Sequence, residues 1–471
     1  MEKHLSSADQ ELSFKNKKIK TVDTNEKTSL TIIDNTDNDP PILINSDYIN
    51  SQFIKKFHQT YQNKQEFNDP ATLAKTYTSP FPITLLPNIF SSDFLKSIRS
   101  ELEADTFYHK SNDLYEFYQS EDLKLTKSPN LIKLRETIYS DLFVKTISEL
   151  TGVVDLDSTP DLSAHQYIQG NYLLCHDDDI KDDDNMHGRR IAFIIYLVDE
   201  DWCEDDGGKL DLFNIDNLGQ PNQIIRSIIP SWNTMVFFEL SPTSYHQVSE
   251  VLTNSKIRFS ISGWFHGPLN TRLSIAKFIP PIPKVYNINE LVNPAYLTKE
   301  GTKNILKALR NEASIELHQF LQQDVYNKLV KSLDKDAEWN DDPVGPPFIR
   351  KYHLIKRPTI DEEDSEDADT PYYMHIYKFF LSDTFKSFIS EISCFNTLAI
   401  SSEIRRFQCG DYTLIHDHAM DKQGLDVILS CIVHEWNINW QGGTHYVSQE
   451  EELLTISPKP NTLSIVVRDA S

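Results

Sequence analysis

Along this chain the spacing of apolar side chains switches from helical to alternating near residue 162 and back to helical near residue 284. Ahead of the first switch, Ser91-Ser92-Asp93 offers N-cap residues before Phe94, Leu95, Ile98 and Leu102, whose spacing predicts an amphipathic helix. Leu131, Leu134, Ile138, Leu142 and Ile147 predict a second helix from Ser128 to Leu150, with Gly152 just beyond its end. Short β-rich segments follow: Ala164–Ile168, Ile191–Val198, Gly208–Phe213, Thr234–Leu240 and Ile257–Phe265. Short strands divided by polar turns predict a sandwich or barrel, so the fold class is mainly β with supporting helices. Lys284 to about Asp336 reads as helical again.

The pattern recurs within the chain. Gln166-Tyr167-Ile168-Gln169-Gly170-Asn171-Tyr172-Leu173-Leu174-Cys175-His176-Asp177-Asp178 aligns with Arg406-Phe407-Gln408-Cys409-Gly410-Asp411-Tyr412-Thr413-Leu414-Ile415-His416-Asp417-His418, with Gly, Tyr, Leu, His and Asp shared at the same places. Each tract is followed by Gly-Gly (Gly207-Gly208, Gly442-Gly443) and then by Asn-Thr opening a strand (Asn233-Thr234, Asn461-Thr462). Three coincidences in one order predict two copies of one β-fold. Residues 1–45 are polar and read as a disordered leader, and 361–369 as an acidic solvated loop. The expected division is a β domain over 75–268 and a second over 284–471.

Composition narrows the function classes. A net charge of −24 argues against nucleic acid as a direct partner, because phosphate is repelled by such a surface. A basic protein partner fits better. Met1 to Lys20 is polar throughout and no apolar run approaches membrane-spanning length, so neither a secretory leader nor a membrane span is expected. Five cysteines without a CxxC pair argue for a reducing compartment and against a zinc module.

The chemistry-bearing set begins with His176 and Asp178. On a strand, positions i and i+2 share a face, so both could reach one metal ion. A His-x-Asp pair arises by chance about once in a chain of this composition, so the dyad alone means little. It gains weight from His246, in the loop after Thr234–Leu240, and from Arg258 inside the next strand. Two histidines and a carboxylate leave open positions on an octahedral ion, the arrangement of non-heme Fe(II) oxygenases. Alternation places Arg258, Ser260 and Ser262 on one face, where a guanidinium can grip the carboxylate of a 2-oxo acid.

Asn171-Tyr172-Leu173-Leu174-Cys175-His176-Asp177-Asp178, Arg189-Arg190-Ile191-Ala192-Phe193-Ile194-Ile195-Tyr196-Leu197 and Arg258-Phe259-Ser260-Ile261-Ser262-Gly263-Trp264-Phe265-His266 resemble the cytosolic and nuclear prolyl hydroxylases that modify a small-subunit ribosomal protein. Gln119-Ser120-Glu121-Asp122-Leu123, Pro129 to Arg135 and Asn461 to Asp469 agree, so the likeness runs from about residue 75 onward. The resemblance implies two double-stranded β-helix (jelly-roll) domains, the second degenerate and without metal. It implies Fe(II) held by His176, Asp178 and His246, with 2-oxoglutarate held by Arg258, Tyr167 and Tyr196. It further implies dioxygen and ascorbate as reactants, a prolyl residue as substrate, 3-hydroxylation or 3,4-dihydroxylation as the outcome, and a cytoplasmic and nuclear location. Other readings in view are a lysyl hydroxylase and a regulatory protein acting on transcription-factor turnover or translation termination. The second copy departs from the pattern at His418, which falls where the metal carboxylate would be.

Overall fold

The computed structural model describes residues 20–21, 30–33, 42–178, 187–216, 219–269, 280–356, 370–393, 395–396, 399–414, 424–447 and 451–468. The acidic run 361–369, His416, Asp417 and His418 lie outside the described residues, as does most of the expected leader 1–45. Of that leader, Leu30–Ile33 pairs with both Lys20–Thr21 and Ile42–Asn45. Two compact units are present, one within 1–214 and 224–272, the other within 215–223 and 273–471. Among the described residues no helix is long and apolar enough to cross a membrane.

The first unit is a double-stranded β-helix. Its long antiparallel run pairs Leu162–Tyr167 with Arg258–Pro268, that strand with His187–Tyr196, then Thr234–Glu239, then Ile83–Pro87. A second run pairs Leu210–Ile215 with His246–Val248 and that strand with Tyr172–His176. Tyr115–Ser120 pairs with both Tyr172–His176 and Leu162–Tyr167 and so joins the two runs. Strand alternation sorts the side chains into two cores. Ile191, Phe193 and Ile195 pack outward with Phe237, Phe259, Ile261 and Phe265 against the helices. Ala192, Ile194 and Tyr196 turn inward with Leu210, Leu212, Val236 and Phe238. Each fully buried Phe on the helix side contributes about 1.5–3 kcal/mol, which holds the sheet flat enough to present the inner face.

The helices are capped as their sequences suggest, with one correction. Ser91 Oγ accepts the Phe94 amide at 3.2 Å and opens the helix Ser92–Glu103. The expected single helix from Ser128 to Leu150 is two, Pro129–Ile138 and Asp141–Thr151. Ser140 divides them, because its hydroxyl donates to Thr137 O at 2.8 Å and accepts the Phe143 amide at 3.3 Å. A serine that caps the next helix competes with continuing the first. Gly152 ends the second helix at φ +76, donating to Ser148 O at 2.8 Å. The glutamate Glu101 caps Pro129–Ile138 from outside, accepting the Asn130 and Leu131 amides.

The second unit repeats this plan. Gly424–Ser430 pairs with Thr462–Arg468 in the register Ser430↔Thr462, as Tyr196 pairs with Thr234 in the first. Thr462 faces His318 on Ser314–His318, as Thr234 faces Pro87. Ser314–His318 falls in a stretch read as helical from the sequence; its pairing with Thr462–Arg468 overrides local propensity. The shared device is an asparagine at positive φ, Asn233 at +55 and Asn461 at +48. Asn233 accepts the Phe90 amide at 3.1 Å and donates to Phe90 O at 2.7 Å. Asn461 accepts the Leu321 amide at 3.0 Å and donates to Leu321 O at 2.8 Å. Each clamp fixes the chain just after a strand, at the start of a helix (Ser92–Glu103 and Gln323–Lys335).

Replacing Asn461 by Ala removes both partners of a buried amide and carbonyl and puts a residue that tolerates left-handed φ less well than asparagine at φ +48. The expected cost is about 2–4 kcal/mol, read as a lowered denaturant midpoint. An unchanged midpoint would show that the clamp does not hold the second unit together.

Candidate active site

A cavity opens on the inner face of the first unit, lined by residues from seven strands and the turn after one of them, among them His165, Tyr167, His176, Asp178, His246, Arg258 and Trp264. His176 is the last residue of Tyr172–His176 and stands opposite His246, the first residue of His246–Val248. His246 therefore begins a strand instead of lying in the loop expected from sequence. Asp178 is not on the strand either. It lies two residues beyond its end at φ +60, and this left-handed turn, not pleat alternation, swings the carboxylate back. The result is still convergence. Ligand atoms of His176, Asp178 and His246 lie within 4.8 Å of one another.

The tautomers are set by the backbone. His176 Nδ1 is 2.7 Å from Leu174 O, and His246 Nδ1 is 2.9 Å from Ser244 O. A carbonyl only accepts, so each Nδ1 carries a proton and each Nε2 is the ring atom turned to the centre. Both Nε2 atoms face Asp178, at 3.4 Å and 3.5 Å from its two oxygens. Burial would raise the Asp178 pKa, but the His246 and His176 imidazoles hold the carboxylate well below its ordinary range. Burial would also lower the His246 pKa, and the Asp178 carboxylate raises it instead. Two imidazole nitrogens and one ionised carboxylate converging on one point suit a divalent ion of the Fe(II) type, whose binding would displace any proton on Nε2. The residues present fit that ion.

At the other end of the cavity, Arg258 opens its strand with a side chain 1% exposed. Its Nε donates to Gly208 O at 2.7 Å and Nη1 to Ser260 Oγ at 3.4 Å. Nη2 has no hydrogen-bond partner, and no carboxylate of the described residues pairs with the group. Tyr167 and Tyr196, both buried, hold their rings 5.1 Å and 5.2 Å from the guanidinium carbon. Tyr196 Oη is likewise buried without a partner of good geometry. Burial raises the Tyr196 pKa and the Arg258 charge opposes it, so the phenol remains a neutral donor. A buried cation with unmet N–H groups and a nearby unmet phenol form a receptor for a small carboxylate.

Gly208 makes this receptor possible. Its φ is +62, and a Cβ there would stand 2.7 Å from Arg258 Cδ. The Gly-Gly seen in the sequence as a repeat marker is thus a close approach of backbone to the buried arginine.

All six site residues expected from sequence line or adjoin one cavity. Three others were missed. Gly208 was seen only as a repeat marker opening a β-segment, and His165 and Trp264 were not singled out. Trp264 Nε1 is buried without a hydrogen-bond partner among the described residues, and the Arg189 guanidinium stacks on its ring at 3.4 Å. Arg189 is tied by two bonds, 2.8 Å and 3.2 Å, to Asp161, which also meets His266 Nε2 at 2.9 Å. Counting by twos from Tyr167 and Arg258 would have reached His165 and Trp264.

Comparison with known proteins agrees with this geometry. Residues 162–266 match the model of the 2OG-Fe(II) oxygenase superfamily. Residues 284–471 match the family described as oxoglutarate and iron-dependent oxygenase degradation C-term. Prolyl 3-hydroxylase OGFOD1 of Xenopus laevis is 35% identical over 436 residues, covering 83% of this chain and 81% of that protein. Its Mus musculus counterpart is 34% identical, covering 83% of each. Prolyl 3,4-dihydroxylase OGFOD1 of Ostreococcus tauri is 29% identical, covering 82% of this chain and 90% of that protein. With a cavity that joins a two-histidine, one-carboxylate centre to a buried, unpaired arginine, and with relatives matched along most of its length, the chain belongs to the OGFOD1 family of 2-oxoglutarate- and Fe(II)-dependent oxygenases.

Proposed function

We propose that this protein hydroxylates a prolyl residue of a basic protein at C3, with 3,4-dihydroxylation as the alternative outcome, using Fe(II), 2-oxoglutarate and dioxygen. The observation that carries the reading is the pairing within one cavity of the His176–Asp178–His246 centre and the unpaired Arg258. The prolyl substrate follows the names of the relatives, and a small-subunit ribosomal protein follows the sequence resemblance. The charge of −24 favours a basic partner of that kind. Ascorbate as a reductant and a cytoplasmic and nuclear location belong to the same proposal.

His176, Asp178 and His246 would hold the ion. When bound, Fe(II) with 2-oxoglutarate and dioxygen supplies the oxidising chemistry, converting the keto acid to succinate and CO2 and delivering one oxygen atom to the substrate C–H bond. The chain's own residues bind, orient and exclude water. Arg258 takes the distal carboxylate of 2-oxoglutarate through Nη2, while Gly208 O and Ser260 Oγ occupy its other N–H groups and fix the fork's direction. Tyr196, neutral and unpartnered, donates its phenol proton to the same carboxylate. Ala192, Ile194, Leu210, Phe238 and Val248 line the cavity with apolar surface and leave water little to bind. A dry site strengthens each of these electrostatic contacts.

Three outcomes are expected. Incubation of the small ribosomal subunit with the protein, Fe(II) and 2-oxoglutarate should add one oxygen mass to a single proline, and no mass change on any proline would reject the prolyl reading. His246→Ala should abolish succinate formation, since two donors alone hold the ion weakly; succinate at the parent rate would remove His246 from the centre. Arg258→Lys should raise the KM for 2-oxoglutarate by an amount worth about 2–5 kcal/mol, and Gly208→Ala should raise it too by displacing the arginine. Iron stoichiometry should stay at one per chain in both. Unaltered KM values would place the carboxylate elsewhere.

A further inference from the structure

His165 stands on the strand Leu162–Tyr167, two residues before Tyr167 and on the same inward face. In register it lies opposite Ser260, one pleat from the Tyr167–Arg258 pair. It lines the cavity, half-buried, with Phe117 edge-on at 5.5 Å between centroids. Its Nε2 is 3.4 Å from Ser163 Oγ, a long contact, and its Nδ1 has no hydrogen-bond partner among the described residues. Burial first, and then the Arg258 charge, push its pKa down to about 4; Asp178 and His176 also act on it. The imidazole is therefore neutral near pH 7, with one N–H donor and one lone pair. A half-buried imidazole on the cavity wall with one weak contact has hydrogen-bonding capacity that a molecule in the cavity can meet.

We propose that His165 is a further cosubstrate-binding residue, whose ring lines the cavity opposite Ser260, one pleat from Arg258, and hydrogen-bonds the 2-oxo acid held there. This rests on the oxygenase reading above. Neither composition nor the HxD…H…R pattern assigns the position.

The test is anaerobic calorimetric titration of the Fe(II)-loaded protein with 2-oxoglutarate. Parent, His165→Ala, His165→Phe and His165→Gln are compared, each checked for one iron per chain and an unchanged melting midpoint. Loss of one neutral hydrogen bond predicts a Kd about 3- to 10-fold weaker in the Ala and Phe forms. Gln, which restores a donor and an acceptor, should recover most of that loss. Parent-like Kd in both Ala and Phe would overturn the proposal. So would full rescue by Phe, which would reduce His165 to packing. An unchanged Kd with a raised KM for the protein substrate would also overturn it, placing the ring against the substrate. Parent protein that binds no 2-oxoglutarate at all would instead bring down the oxygenase reading itself.

Discussion

A positive charge sealed from water with part of its hydrogen-bonding unmet is the constraint around which the first unit is arranged. A buried ion without a counter-charge costs several kcal/mol, and the fold accepts that cost at Arg258. Gly208 O and Ser260 Oγ satisfy two of its donor groups, and Tyr167 and Tyr196 surround the guanidinium with ring faces. Nothing among the described residues neutralises it. Such a group is held by the surrounding β-sheet, and its unmet donors are available to an anion that enters. The sheet's alternation is what makes this affordable, since outward-facing Phe193, Phe259 and Phe265 supply a core that does not depend on the inner face.

The metal-binding end follows a different logic. Charge there is handled within the triad, because Asp178 is held ionised by two imidazoles whose Nδ1 protons are fixed by Leu174 O and Ser244 O. Those carbonyls lie two residues before their own histidines, so each tautomer is determined by local backbone shape. An incoming cation meets ring nitrogens already aimed at it. Preorganisation of this kind reduces the reorganisation that binding would otherwise require.

Much of this was legible in the sequence. The identities of the three donors, the arginine and the two tyrosines came from spacing and resemblance, and the Asn-Thr repeat marked a shared clamp. What was not legible depends on partners distant in the chain. Asp178 was expected to reach the centre by strand alternation, but the strand ends at His176 and a left-handed turn does the work. Gly208 could not be known as the floor beneath Arg258, because the contact joins residues fifty positions apart. The break at Ser140 was hidden because apolar spacing continues across it, and only the cap hydrogen bond shows that two helices meet there.

The two copies show what separates a receptor from a scaffold. By register, Asp426 occupies the place of Ala192, Ser430 that of Tyr196, and Arg468 that of Leu240. The inner face that is apolar in the first copy gains polar residues in the second, at Asp426, Ser430 and Ser464, while Ile428 and Val466 stay apolar. Arg468 Nε bonds Asp426 at 2.8 Å, and Tyr446 Oη donates to the same carboxylate at 3.0 Å. The second copy thus carries an arginine on the corresponding face, but its charge is met by a carboxylate of its own strand pair. An internally paired guanidinium has no energetic reason to take an outside anion, because the ligand would have to displace Asp426 and leave that carboxylate unpaired. With Ser430 in place of the tyrosine, the phenol donor is absent as well. A strand pair and the asparagine clamp recur in both units, whereas the charged groups on the inner face are paired with each other in the second and left for a ligand in the first.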